Sequence, residues 1–277
     1  MDILWILLIM VLAVMGLWLL MIAPRLGTPK GMKELQKARF AHRGLHNIKA
    51  GVPENSMLAF TLAVKEQVGI ELDVHLSKDG KLVVEHDDTL QRTAGDPRSI
   101  EHCNWAEIKH LTLEGTDEKL PLLSDVFQLV DGKVPLLIEM KAVGGNQKPL
   151  AEAVAKALAE YKGPYCVESF EPRTLYWLGK ANPKILRGQL AGYVRKEGAK
   201  VSPIIDFMLR NLLIHVISRP DFVAYNYKDR RNLSFRLCRT LFRPPVFFWT
   251  VRSVEGENIS SKANATPIFE KLDGWNQ

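Results

Sequence analysis

From residue 38 onward the chain alternates between short apolar or period-two segments and amphipathic ones, and this alternation restricts its fold more than any other feature. Strand-like stretches occupy residues 38–42, 70–75, 82–85, 134–140, 165–169, 185–189, 222–225 and 246–251. Helical patterns separate many of them, at 56–67, 124–130, 149–161 and 173–181, the first with Asn55 placed to cap it. Strand, helix and strand in succession form the unit of a parallel sheet. Eight such strands in about 240 residues suit an α/β fold of the (β/α)8 TIM-barrel kind. An open doubly wound sheet is the competing arrangement. The polar stretch 91–120, broken by Gly95, Pro97 and Gly115, reads as a small insertion after the third strand.

Ahead of this pattern, residues 3–22 form an uncharged, almost wholly apolar run of 20 residues. That length crosses a bilayer core of about 30 Å, and Trp5 and Trp18 lie near its ends, where indole rings favour the interface. A cleaved signal peptide would have a basic start, a shorter apolar core and a small-x-small site, which this run lacks. The organisation expected is a transmembrane anchor at 1–23, a linker at 24–37 containing Pro24, Gly27, Pro29 and Gly31, and a catalytic domain at 38–277. Arg25, Lys30, Lys33, Lys37 and Arg39 all follow the span, so the positive-inside rule gives a single-pass membrane protein with its domain facing the cytoplasm.

A net charge of +6 permits nucleic acid, anionic lipid or an anionic substrate as a partner. With no basic run of five residues and no nucleic-acid motif, nucleic acid is set aside. Cys103, Cys166 and Cys238 are odd in number and share no CxxC spacing, which argues against a disulfide framework or a zinc site. The segment 204–217 is more apolar than a surface helix needs, with Lys196, Lys200, Arg210 and Arg219 in or around it. It reads either as a barrel helix packed on the sheet or as an interfacial lip that rests on a bilayer. Oligomeric state is not legible.

The chemistry is concentrated at strand ends. Side chains alternate along a strand, so Glu71 and Asp73 project to one face while Leu72 and Val74 face the other. Two like charges on a buried face are costly unless a cation neutralises them. Glu139 and Lys141 repeat the spacing at the carboxyl end of an apolar strand, the end where barrel active sites assemble. Glu71, Asp73 and Glu139 together would hold a hard divalent cation, Mg2+ or Ca2+, and leave positions for phosphate oxygens. His42 and His86 end strand-like segments and suit proton transfer to and from a phosphodiester near neutral pH. Arg43 can clamp phosphate and Lys141 can offset charge developing on it. The other histidines, His46, His75, His102, His110 and His215, read as surface or core.

His42-Arg43-Gly44, Pro53-Glu54-Asn55-Ser56, Glu71-Leu72-Asp73-Val74, Lys78-Asp79-Gly80, His86-Asp87, Arg92-Thr93 and Glu139-Met140-Lys141 occur in an order and spacing that resembles glycerophosphodiester phosphodiesterases. The likeness is most specific over residues 40–95 and returns at Glu139, at Ser169-Phe170 and at Phe248-Trp249-Thr250-Val251. It implies a barrel in which Glu71, Asp73 and Glu139 hold one divalent ion and His42 and His86 form the acid/base pair. Glu54 would orient Arg43, Lys141 would contact phosphate, and Trp249 would pack against glycerol. The implied reaction converts a glycerophosphodiester or a lysophospholipid to a phosphomonoester and an alcohol, the substrate's own hydroxyl attacking first to give a cyclic phosphate that water opens. Ser56 and Ser77 stand where that family usually has Thr, residues 193–219 look expanded, and 267–272 read Pro-Ile-Phe-Glu-Lys-Leu in place of its usual Asp-x-Pro. The other readings are a phospholipase that stops at the cyclic phosphate and a catalytically inactive membrane-bound module that binds lipid or phosphodiester.

Overall fold

The computed structural model describes residues 3–27 and 30–270. The expected anchor, linker and catalytic domain extend past these bounds only at residues 1–2, 28–29 and 271–277, which lie outside the described residues. Nine strands are present among the described residues: β1 (Phe40–Ala41), β2 (Gly69–Leu76), β3 (Leu82–Val84), β4 (Leu136–Met140), β5 (Tyr165–Ser169), β6 (Arg187–Ala191), β7 (Phe222–Asn226), β8 (Val246–Val251) and β9 (Thr266–Phe269). Eight of them pair in parallel in the order β1-β9-β8-β7-β6-β5-β4-β2, and β1 pairs with β2 to close the barrel.

Two strand assignments are corrected. Residues 82–85 do not supply a barrel strand, because β3 runs antiparallel to β2 with Val74 opposite Val84. Only residues 77–81 connect the two, and a parallel return needs a crossover of a dozen or more residues. The eighth barrel strand is instead β9, a four-residue segment holding Pro267 that carries little strand signal of its own. The polar insertion, mostly turns and short helices, sits between β3 and β4 around its own small core of Val83, Leu90, Ile100 and Leu113.

The barrel interior is filled by Phe40, Leu137, Cys166, Phe222, Ala224, Phe247 and Ile268. Phe222 lies so close over Gly188 that a Cβ there would meet its ring at 2.1 Å. Met32 and Leu35, from the short helix Met32–Leu35 inside the segment 24–37, join this cluster and are fully buried. Burying two such side chains contributes about 1.5–3 kcal/mol each. Because this helix precedes β1, it fills the end of the barrel where strands begin and leaves the carboxyl end open. The segment 204–217 resolves into two short helices, Pro203–Arg210 and His215–Ser218, with Leu212 at φ 58° between them.

Candidate active site

β1 ends at Ala41, and the backbone N–H of His42 donates to Phe269 O at 2.9 Å, which fixes His42 where β1 and β9 meet. Arg43 (φ 57°) and Gly44 (φ 79°) then turn the chain sharply. A Cβ on Gly44 would stand 2.9 Å from Ala59 Cβ, so only glycine lets this turn lie on the following helix. The turn aims the Arg43 backbone N–H at Glu71 Oε2 (2.9 Å), while its guanidinium donates to Glu54 Oε1 (2.7 Å). Asn55 is not the helix cap. It adopts φ 51° and its Nδ2 donates to Asp73 Oδ2 at 2.8 Å. The cap is Ser56, whose Oγ accepts from the Ala59 N–H at 3.1 Å.

Glu71 and Asp73 share the inner face of β2, Asp73 is register partner to Glu139 on β4, and Glu139 to Glu168 on β5. Glu71, Asp73 and Glu139 are buried, and each offers an oxygen within 4.8 Å of the others. Lys141 Nζ lies 3.0 Å from Asp73 Oδ1 and 2.7 Å from Glu139 Oε1. Sequence reasoning missed Glu168, although its position inside an apolar strand repeats the signal that marked Glu139. Its Oε2 is buried without a hydrogen-bond partner among the described residues.

Four inward carboxylates, Glu71, Asp73, Glu139 and Glu168, thus face two cations, Arg43 and Lys141. Burial, then the charges of Asp73 and Glu139, pushes Glu71 well above the ordinary carboxylate range. Burial raises Glu139 and Glu168 too. Burial would also raise Asp73, but Lys141, His86 and Arg43 hold it well below its usual value. An oxygen-rich cluster whose acids outnumber the cations beside them is the donor set that a divalent cation fits.

His42 Nδ1 lies 3.1 Å from Glu270 Oε2, and Arg252 donates to the same oxygen at 2.8 Å. Burial lowers the His42 imidazole to about 4 despite Glu270, with the Arg43 charge helping, so it is neutral at pH 7. Glu270 directly follows β9, in the segment whose sequence departs from the family pattern, and this second partner was not legible before the strand was seen. His86 follows β3: its backbone N–H donates to Glu85 Oε1 (2.9 Å) and its Nδ1 is 2.6 Å from Asp87 Oδ1. Although β3 is outside the barrel, it delivers His86 to the barrel mouth. Trp249, on β8, donates from Nε1 to Ala224 O at 3.1 Å and meets Phe170 edge-on at 5.5 Å.

These groups surround one cavity of about 530 Å³, whose lining includes His42, Arg43, Glu71, His86, Glu139, Lys141 and Glu168. Phe170, Leu190, Val194, Val201, Leu209 and Trp249 give its remaining wall an apolar character. Glu54 reaches the site through Arg43. His75, paired with Glu101 at 2.7 Å, and His215 are buried structural groups.

Residues 42–269 match the model of the glycerophosphoryl diester phosphodiesterase family. A glycerophosphodiester phosphodiesterase of Caldanaerobacter subterraneus is 35% identical over 160 residues, 54% of this chain and 65% of that protein. Lysophospholipase D GDPD1 of Rattus norvegicus is 31% identical over 149 residues, covering 48% of this chain and 46% of that protein. The chain therefore spans less than two thirds of the length of these relatives. An Oleispira antarctica phosphodiesterase solved with its product sn-glycerol-3-phosphate shares the fold, with a TM-score of 0.68 at 21% identity over 84% of this chain and 92% of that one. On the match across residues 42–269, this chain belongs to the glycerophosphoryl diester phosphodiesterase family.

Proposed function

We propose that the chain is a membrane-anchored, metal-dependent phosphoric diester hydrolase that converts a glycerophosphodiester or a lysophospholipid to a phosphomonoester plus an alcohol. The observation that carries this reading is the convergence of His42, His86, Arg43, Lys141 and the acidic cluster on one cavity. Glu71, Asp73 and Glu139 would hold one divalent ion, Mg2+ or Ca2+, which when bound supplies positive charge to a phosphate oxygen. Arg43, held by Glu54, and Lys141 bind the phosphate's remaining oxygens. Neutral His42 accepts the proton of the attacking hydroxyl, and His86 donates one to the departing alkoxide oxygen. As the substrate's own hydroxyl forms a new P–O bond, the P–O bond to the alcohol breaks and the alcohol leaves protonated. Water then adds to the cyclic phosphate and breaks its new P–O bond, giving the phosphomonoester. Trp249, which lines the cavity, would pack against the glycerol part of the substrate.

The apolar, uncharged 20-residue helix Ile3–Ile22 supports a single membrane span, and the basic residues after it support a cytoplasmic domain. Phosphorus NMR of products made by wild type and His86→Ala tests the chemistry. Phosphomonoester from wild type and little from the variant is expected. A cyclic phosphate as the end product would replace hydrolysis with the cyclising alternative.

A further inference from the structure

We infer that the bilayer lies against the catalytic end of the barrel and that the helix Pro203–Arg210 is seated in it, so that a membrane-resident single-chain phosphodiester enters the cavity from lipid. The inference rests on the reading of Ile3–Ile22 as a membrane span and deepens the proposed function by naming where the substrate comes from.

The course of the apolar helix along the barrel gives the direction. Ser234 opens the helix Leu233–Leu241, which follows β7 and so begins at the catalytic end. Trp18 Nε1 donates to Ser234 Oγ at 3.2 Å. Pro220 precedes β7 at the opposite end, and the Arg25 N–H donates to its carbonyl at 2.9 Å. Between these points His215 Nδ1 lies 2.9 Å from Ile22 O, and Arg219 donates to Leu20 O and Ala23 O, each at 3.1 Å. Residues 18–25 thus run down the barrel wall from the catalytic end to the plugged end, and residues 3–17, all exposed, stand beyond the catalytic end.

Fifteen helical residues reach about 22 Å, short of a hydrocarbon core of about 30 Å. The shortfall of about 8 Å is the depth at which an interfacial helix lies. The rim beside the span is built for that depth. Ile204 is 72% exposed on the helix Pro203–Arg210, Ile205 and Phe207 are about half exposed, and Leu233 is 60% exposed next to Ser234. That helix ends at Asn211, whose Oδ1 accepts from Asn232 (3.2 Å) and Ser234 (3.4 Å), so the span and the lip share one polar joint. The other face of the same helix is Leu209, buried and lining the cavity. Arg195, Lys196 and Lys200 are exposed alongside, where anionic headgroups would meet them.

The test uses the full chain in vesicles of phosphatidylcholine and phosphatidylglycerol, with an environment-sensitive fluorophore on Ile204→Cys or, separately, on Lys184→Cys near the plugged end. Cys103, Cys166 and Cys238 are buried, so labelling is selective. Spin-labelled lipid is expected to quench position 204 several-fold more than position 184, with Phe207→Cys behaving like position 204. Equal quenching at both ends, or stronger quenching at 184, overturns the inference. Turnover of a water-soluble diester by the same vesicles reports the chemistry separately, so loss of one reading is distinguished from loss of the other.

Discussion

His42 Nδ1 and Glu270 Oε2 lie 3.1 Å apart across the seam where β1 meets β9. Glu270 is itself held by Arg252, and these partners keep its carboxyl far below its ordinary value although burial alone would raise it. The carboxylate therefore stays charged and fixes which imidazole nitrogen faces the cavity. Glu270→Gln keeps the shape and removes the charge, so kcat should fall by about 10–100-fold, with the substrate KM little changed. His42→Ala should cost about 10²–10⁴-fold. Steady-state kinetics on both variants would check the ordering, and a Glu270→Gln enzyme with full kcat would remove this residue from the account.

Metal should stabilise the fold as well as support turnover, because the four inward acids Glu71, Asp73, Glu139 and Glu168 outnumber the cations Arg43 and Lys141 beside them. Ligand at 100 times its Kd adds about 2.7 kcal/mol. Melting curves with chelator and with added Mg2+ or Ca2+ should separate by several degrees, and Glu71→Gln should shrink the separation. Glu168→Gln should raise Tm in chelator, since it removes a buried like charge beside Glu71 and Glu139.

Acid should loosen the docking of the apolar helix. Burial depresses His215 from 6.5 to about 4, with the Ile22 carbonyl opposing and Arg219 adding to the shift. The unfolded chain binds this proton more readily, so the stabilisation is complete above pH 6.5 and is lost as pH falls through about 4. The upper limit is about 3 kcal/mol from this one group. Comparing Tm in detergent at pH 7 and pH 5 should show a smaller acid loss for His215→Ala than for wild type.

Gly44→Ala should be severe for a residue that touches no substrate. It combines φ 79° with a Cβ contact of 2.9 Å on Ala59, and costs on the order of 1–3 kcal/mol are expected. Because Gly44 adjoins Arg43 and His42, activity should fall further than stability. Thermal melts and kinetics on the same preparation would separate the two losses.

The cluster Glu71, Asp73, Glu139 and Lys141 was legible because alternation along a strand needs no knowledge of the partner strand. His42 and His86 were legible from their places at segment ends. The fate of residues 82–85 was not, since a period-two segment looks the same in a hairpin arm as in a barrel wall. Glu270 was hidden for a related reason: Thr266–Phe269 is short, holds Pro267, and becomes a strand only by pairing with β1 and β8. Asn55 resembles a helix cap by residue type, yet Asp73 claims its side chain and Ser56 takes the cap. Tertiary partners decided each of these.

The most direct measurement is product release from a glycerophosphocholine-type diester and from a lysophospholipid, by metal-loaded wild type, chelated wild type and His42→Ala. The expected result is phosphomonoester from at least one substrate, lost with chelator and lost with His42→Ala. Turnover that survives chelation and His42→Ala, or no turnover of either substrate by the metal-loaded enzyme, would contradict the account.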